Sequence, residues 1–290
     1  MPEDDPREAR LVDVPGPSGR ALVGAFYANR QEREAAILYL HGKGGNFYSG
    51  PGRVIPSHDR TGRFAHLAIN MRCHDLGYTD YDTVMPDPKH GHVQVGGGMW
   101  ERIADGHLDV AAAVAWLRTR GHERIVICGH SSGGYYAAQY GSRPDAAAVG
   151  RVLISPVLSH KRHLRNWFES TGGVDTVTAK AHRLVAAGQG HRLLPIDSWY
   201  YAISAQSLVE RTEEGDDAFT DYLTASSCPT LLIAGSRESR IPAWQTALDS
   251  CNGSQHRMAV IEGADHSFTT HPDVLTDMVL SFAASVVAER

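Results

Sequence analysis

The sequence predicts an α/β protein: a mostly parallel central sheet with helices on both faces. Short apolar runs alternate along its 290 residues with stretches carrying helical apolar spacing. One run, Ala35-Ala36-Ile37-Leu38-Tyr39-Leu40, is apolar throughout, as a strand buried on both faces requires. Another, Ile125-Val126-Ile127-Cys128, runs directly into Gly129-His130-Ser131-Ser132-Gly133 and a small-residue helical pattern over 135–140. That reads as strand, sharp turn and helix, with Ser131 at the apex.

Taken in order, 11–14 and 20–28 read as two strands joined by the turn-forming Pro15-Gly16-Pro17-Ser18-Gly19. The strand at 35–40 ends in His41-Gly42-Lys43-Gly44-Gly45-Asn46, and a further buried strand covers 64–70. A polar, Pro/Gly-broken loop follows over 78–98. Apolar residues at Ile103, Leu108, Val110, Val114 and Leu117 mark a helix within 100–120. Strands are expected at 151–157, 230–234 and 258–261, and a closing helix at 274–287. Between the strands at 151–157 and 230–234 a crossover needs one helix, yet 159–227 carries several helical patterns, including 174–187 and 198–211. We expect this stretch to be a helical cap inserted before the acid-bearing strand, over the carboxyl edge where open α/β sheets bind ligands. The core is then 1–158 and 228–290. The sequence has no internal repeat.

Composition narrows the function. A net charge of −5 gives no reason to expect nucleic acid as partner. Cys73, Cys128, Cys228 and Cys251 lie far apart, which suits a reducing cytoplasm and argues against a disulfide scaffold or a structural zinc site. Residues 1–10 are acidic and polar, unlike a signal peptide, and no apolar run is long enough to cross a bilayer. His90-Gly91-His92, with His74, Asp75, Asp80 and Asp82 near in sequence, lacks helical ligand spacing and reads as a solvated loop. A small-molecule substrate with no metal and no cofactor is therefore expected.

Chemistry concentrates at Ser131. A strand reversing straight into a helix strains its apex residue and leaves no room for a β-carbon at Gly129 or Gly133. Ser132 does not fit the nucleophile position, because His130 rather than glycine stands two before it. A serine hydroxyl needs a base to take its proton, and the base needs a third group to fix its tautomer. His266, in Gly263-Ala264-Asp265-His266-Ser267-Phe268, falls on the loop after the last strand; His271 is its nearest competitor, and His266 is preferred. Glu238 is the sole carboxylate between the strand at 230–234 and the next helix. The order Ser131, Glu238, His266 fits a catalytic triad.

Four motifs together resemble the α/β-hydrolase superfamily over essentially the whole chain. They are His41-Gly42, Gly129-His130-Ser131-Ser132-Gly133, the loop from Gly235 through Glu238 to Pro242, and Gly263-Ala264-Asp265-His266-Ser267-Phe268. The family more often carries Asp where this chain has Glu238. The segment 198–205 with Asp216-Asp217-Ala218-Phe219 is loosely similar to the cap of fungal siderophore (fusarinine C) esterases, and no substrate is carried over from it. The resemblance implies an oxyanion hole from the backbone N–H groups of Lys43 and Ser132, and a turn-bracing role for His41.

The function expected is therefore a serine hydrolase acting on an ester, thioester, lactone or amide of a small to medium substrate. A carbon–carbon hydrolase of the same fold and a non-catalytic receptor are the alternatives. His41, Gly42, Arg72, His74 and Trp199 are expected at the substrate. Lys43, Arg72, His74 and the basic run 161–165 are expected to converge on the pocket mouth and favour a carboxylate-bearing substrate. Trp167, Phe168, Trp199, Tyr200 and Tyr201 line either the pocket or the cap's own core.

Overall fold

The computed structural model describes residues 8–29, 35–81, 93–170, 172–197, 201–251 and 255–288. Twelve strands and nine α-helices occur among them. In chain order they begin with β1 (Ala9–Pro15), β2 (Ala21–Tyr27), β3 (Ala35–Leu40), α1 (Pro51–His58), β4 (Ala65–Ile69), β5 (Tyr78–Tyr81) and β6 (Val93–Gly96). Next come α2 (Gly106–Arg118), β7 (Arg124–His130), α3 (Ser132–Gly141), β8 (Gly150–Ile154), α4 (Leu164–Trp167), α5 (Val174–Ala186), β9 (Leu193–Pro195) and β10 (Ala202–Ser204). The last are α6 (Ala205–Glu213), α7 (Ala218–Thr224), β11 (Thr230–Gly235), α8 (Ile241–Asp249), β12 (His256–Ile261) and α9 (Pro272–Ala288).

Eight strands form one sheet in the order β1-β2-β4-β3-β7-β8-β11-β12. Only β2 runs against its neighbours; every other pairing is parallel. The all-apolar runs are explained by period-two alternation between two cores. Ala36, Leu38 and Leu40 of β3 face a cluster built with α2, α3 and α8, whereas Ala35, Ile37 and Tyr39 face one built with α9. Register then aligns the site. Leu40 pairs with Gly129, His130 with Ile154, Ile154 with Ile233, and Gly235 with Ile261. The loops that carry His41, Ser131, Glu238 and His266 therefore leave the sheet along one carboxyl edge.

Three local differences from the sequence reading have identifiable causes. Residues 78–98, expected to be loop, contain the antiparallel hairpin β5–β6. Helix α1 lies in a stretch to which the sequence reading assigned no element, and it contains two prolines. Pro51 sits in the first turn, where a missing N–H costs nothing, and Pro56 is tolerated near the end. The strand expected over 151–157 stops at Ile154, because Ser155 adopts φ 46°.

The insertion between β8 and β11 has its own apolar cluster, formed by Leu164, Phe168, Val177, Ala181, Leu194 and Ile203 among others. Phe219 and Leu223 of α7 instead join the main core. Phe168 is thus part of the insertion's own packing. All four cysteines are free. No helix among the described residues is long and apolar enough to cross a membrane.

A β-carbon on Gly133 would stand 2.3 Å from the carbonyl oxygen of Leu40 and 2.6 Å from that of His41, both backbone atoms of the neighbouring strand end. Gly133→Ala should therefore lower unfolding stability by more than about 2 kcal/mol in urea titration. A change within about 0.5 kcal/mol would show that α3 can retreat from β3 freely.

Candidate active site

Ser131 lies between β7 and α3 with φ 55° and ψ −118°, a left-handed conformation that non-glycine residues adopt only under constraint. Its N–H donates to the Ile154 carbonyl at 2.9 Å, and its carbonyl accepts from Gly134 at 3.0 Å and Val157 at 3.2 Å. A β-carbon at Gly129 would meet the Gly133 carbonyl oxygen at 2.2 Å, so both elbow glycines are sterically required. Ser132 opens α3 and is buried.

Glu238 and His266 meet across two loops. His266 Nδ1 is 3.0 Å from Glu238 Oε2. The tautomer with Nδ1–H turned to the carboxylate leaves Nε2 with its lone pair available to a hydroxyl. The Ser155 hydroxyl donates to Glu238 Oε1, and Arg240 Nη2 donates to Oε2 at 2.8 Å. The same Arg240 nitrogen is 3.0 Å from His266 Nδ1, so the cation flanks the pair from one side. Burial alone would raise the Glu238 carboxyl. Hydrogen bonds from His266 and Ser155, with the charges of His266 and Arg240, outweigh it and hold the pKa at about 2. His266 is fixed from behind as well, because His130 Nε2 donates to its carbonyl at 2.8 Å. Burial, with the neighbouring His266 charge, lowers the His130 imidazole to about 4, which keeps it neutral.

The His41-Gly42-Lys43 turn abuts the elbow, and a β-carbon on Gly42 would stand 3.0 Å from Ser131 Cβ. His41 Nε2 accepts from the Met71 N–H at 2.9 Å, and its Nδ1 lies 2.7 Å from the Gly42 carbonyl. The imidazole therefore braces the turn. Burial lowers it to about 4 and so keeps it neutral. Ser131 and His266 border one cavity of about 470 Å³, together with His41, Gly42, Lys43 and Thr269 among others. Its other walls come from the glycine-rich 44–52 stretch and from Leu40, His130 and Ser267.

The expected convergence of positive charge on the pocket requires correction. Arg72 is turned onto α2, where Nη2 and Nε bind Asp109 Oδ1 at 2.7 and 3.0 Å and Nη1 reaches Asp105 at 3.2 Å. His74 pairs with Asp75 at 2.8 Å and stacks on Tyr78 with ring centres 4.0 Å apart. Neither residue is among those bordering the cavity. Lys161 reaches Asp216 at 3.6 Å and Arg162 reaches Asp217 at 4.0 Å. Arg72, Lys161 and Arg162 each have a local carboxylate, and pairing nearby is less costly than holding bare charge at a partly desolvated cleft; the side chains of His163 and Arg165 lie outside the described residues. Lys43 does border the cavity, but its ammonium lies 3.6 Å from Glu101 and 4.9 Å from the Trp167 ring centre. Burial and the Arg211 charge lower it to about 7. Trp199 and Tyr200, and the 82–92 stretch with its histidines, lie outside the described residues; Tyr201 is exposed. Among the described residues no group of three or more metal-ligating side chains converges.

Sequence reasoning missed Ser155, Arg240, His130 and Glu101. Ser155 has one legible signal, a hydroxyl between a strand and Pro156 at the carboxyl edge. Glu101 has another, an acid between Trp100 and Ile103 at the start of an apolar-patterned stretch. Arg240 has a third, its place two residues after Glu238 on the same loop, whereas His130 has none, because its partner, the His266 carbonyl, comes from another loop.

The strand order and the strained serine elbow define an α/β hydrolase. The sequence profile of the alpha/beta hydrolase family matches residues 37–278, and the chain belongs to that family. Among solved structures it is similar to Est1E from Butyrivibrio proteoclasticus, with 15% identity over 97% of this chain and 99% of that one, TM-score 0.66. It is also similar to the Pyrococcus furiosus esterase Pf2001 (18% identity, 96% of this chain and 92% of that one, TM-score 0.61). A third is hypothetical protein PA2218 from Pseudomonas aeruginosa (15% identity, 96% and 93% covered, TM-score 0.71). At these identities the likeness is one of fold. No curated protein sequence matches.

Glu238 and Glu214 are both held at about 2, below their ordinary value of 4.5. A depressed carboxyl contributes stability that is complete above its unfolded value and lost as pH falls through its folded value. The urea midpoint should therefore drop between pH about 4.5 and about 2, and Glu238→Gln should flatten part of that slope. An unchanged slope in the variant would mean that Glu238 is not held ionised by the site.

Proposed function

We propose that this protein is a serine hydrolase that cleaves an ester through an acyl-enzyme on Ser131. The observation that carries the reading is the 3.0 Å contact between His266 Nδ1 and Glu238 Oε2, beside a cavity bordered by both Ser131 and His266. In this reading His266 takes the Ser131 proton as the hydroxyl attacks the acyl carbon, and returns it to the leaving alkoxide. A water activated by the same imidazole then frees the acid. Glu238 orients the imidazole and stabilises its cation. The backbone N–H groups of Lys43 and Ser132 serve as oxyanion donors, where fixed dipoles are worth about 3 kcal/mol each.

Esters are favoured over the thioester, lactone and amide alternatives because the similar structures include the Pyrococcus furiosus esterase Pf2001, and Est1E with ferulic acid bound. The cavity of about 470 Å³ suits a small to medium group. We propose an uncharged acyl group, because Arg72, His74, Lys161 and Arg162 are each paired with a carboxylate of the protein. The insertion at 159–227 is proposed as the cap over the site; Trp167 above the Lys43 ammonium supports this. Four free thiols fit a cytoplasmic location.

With p-nitrophenyl acetate as substrate, Ser131→Ala should abolish turnover while leaving the unfolding midpoint near that of the parent. Glu238→Gln should lower kcat by roughly 10³- to 10⁴-fold, and Glu238→Asp should keep part of the rate. Full activity in Ser131→Ala would end the acyl-enzyme reading, and a near-neutral Glu238→Gln would move the acid elsewhere. An uncharged ester should be cleaved at least as well as its carboxylate-bearing analogue. The charged analogue should show less than about a twofold change in kcat/KM between low and high salt. A steep fall with salt would restore a cationic pocket mouth.

A further inference from the structure

Glu101 stands between the Gly98–Trp100 turn and α2, and only 1% of it is exposed. Three segments end on its carboxylate. Lys43, from the turn beside the elbow, brings its ammonium to 3.6 Å from Oε2. Tyr136, one turn into the helix that Ser132 opens, donates its hydroxyl to Oε1 at 2.7 Å. Arg211, from α6 of the insertion and fully buried, forms an ion pair with Oε2. Two cations and a phenol on one carboxylate hold that group well below its ordinary value despite burial, which alone would raise it.

We infer that Glu101 is a positioning residue that sets the separation of the two oxyanion donors and ties it to the seating of the insertion. The inference rests on the serine-hydrolase reading, in which those donors are the N–H groups of Lys43 and Ser132. Neither donor's backbone is held by the carboxylate directly. Glu101 instead grips the side chain of one donor residue and, through Tyr136, the first turns of the helix that carries the other. Buried ion pairs are rigid because separating them leaves an uncompensated charge in a low dielectric. Arg211 extends the same grip to α6, so a shift of the insertion would pull on the carboxylate that holds Lys43. The Lys43 turn has further ties: Gly44 N–H donates to the Cys73 carbonyl at 3.2 Å, and Asp75 N–H to Gly45 at 2.9 Å. These hydrogen bonds fix the turn against the next loop. Close backbone packing at Gly133 sets the approach of α3 to the strand end, and Glu101 adds a polar tie that reaches both the turn and α3.

The test uses a fluorophosphonate probe on the full chain, so it does not depend on knowing the substrate. Serine phosphonylation develops oxyanion charge in the same hole. Glu101→Gln keeps the size and hydrogen-bonding reach but removes the charge, and Lys43→Met keeps the backbone N–H while removing the ammonium. Each should lower kinact about tenfold, less than outright loss of a donor, with KI within about threefold. The double variant should be no slower than the worse single, because both act through one contact. A purely structural role would lower the fraction of folded, reactive protein rather than the rate per folded molecule. If Glu101→Gln does not fold, Lys43→Met and Tyr136→Phe, which both keep the carboxylate, decide the matter by the same split. Labelling rates within twofold of the parent in the folded variants, losses shared equally by KI, or additive losses in the double would overturn the inference. Ser131→Ala is run alongside: labelling that persists there overturns the acyl-enzyme reading itself, whatever the Glu101 variants do.

Discussion

The left-handed backbone of Ser131 is the constraint on which the rest of the site depends. A φ of 55° at a serine costs on the order of 1–3 kcal/mol and persists only where the surroundings over-determine it. Here they do. The serine N–H is held by the end of β8, and its carbonyl takes hydrogen bonds from α3 and from the loop after β8. Gly129 and Gly133 let β7, α3 and the end of β3 approach to distances that any β-carbon would block. That close approach brings the Gly42 turn, which leads into the proposed oxyanion donor Lys43, against Ser131. A second strained serine, Ser155 at φ 46°, sits one strand over and donates to Glu238. Backbone strain at the carboxyl ends of adjacent strands thus serves both ends of the proposed triad.

Charge in this protein is spent on internal attachment. Glu101, Arg211 and Lys43 link the insertion, the turn after β3 and helix α3. Glu214 links His160 to the segment before α7, with Oε1 3.0 Å from His160 Nδ1 and the Ser159 hydroxyl 3.1 Å from Oε2. Tyr135, next to Tyr136 on α3, packs edge-on against His160 at 4.5 Å, so the two buried polar clusters share one helix. Such networks add little net stability over apolar packing but are costly to break at a single member. That makes them good at fixing one docking geometry, as the proposed cap would need.

The sheet and the three proposed catalytic side chains were legible in the sequence because each is a local pattern. An apolar run marks a buried strand, and glycines two before and two after Ser131 mark its elbow. A single carboxylate after β11 and a histidine after β12 follow in chain order. What was not legible depends on partners distant in sequence. Arg72 looked like a pocket cation because nothing near it in the chain announces Asp109, 37 residues away. Helix α1 was hidden by prolines whose effect depends on position within a helical turn. The hairpin β5–β6 was hidden by a long polar connection, and the left-handed turn at Ser155 by an apolar run that continues past it. Glu101 was overlooked because its role exists only where three separate segments meet.

The central claim is that Ser131 carries the acyl group during turnover. Acid-quenching the enzyme in the first turnovers with p-nitrophenyl acetate, followed by peptide mass mapping, tests it most directly. The account predicts one acetyl group per chain on the peptide containing Ser131, lost on further incubation and absent in Ser131→Ala. Acetylation confined to another residue, such as Lys43, or continued turnover with no acetyl on Ser131, would contradict it.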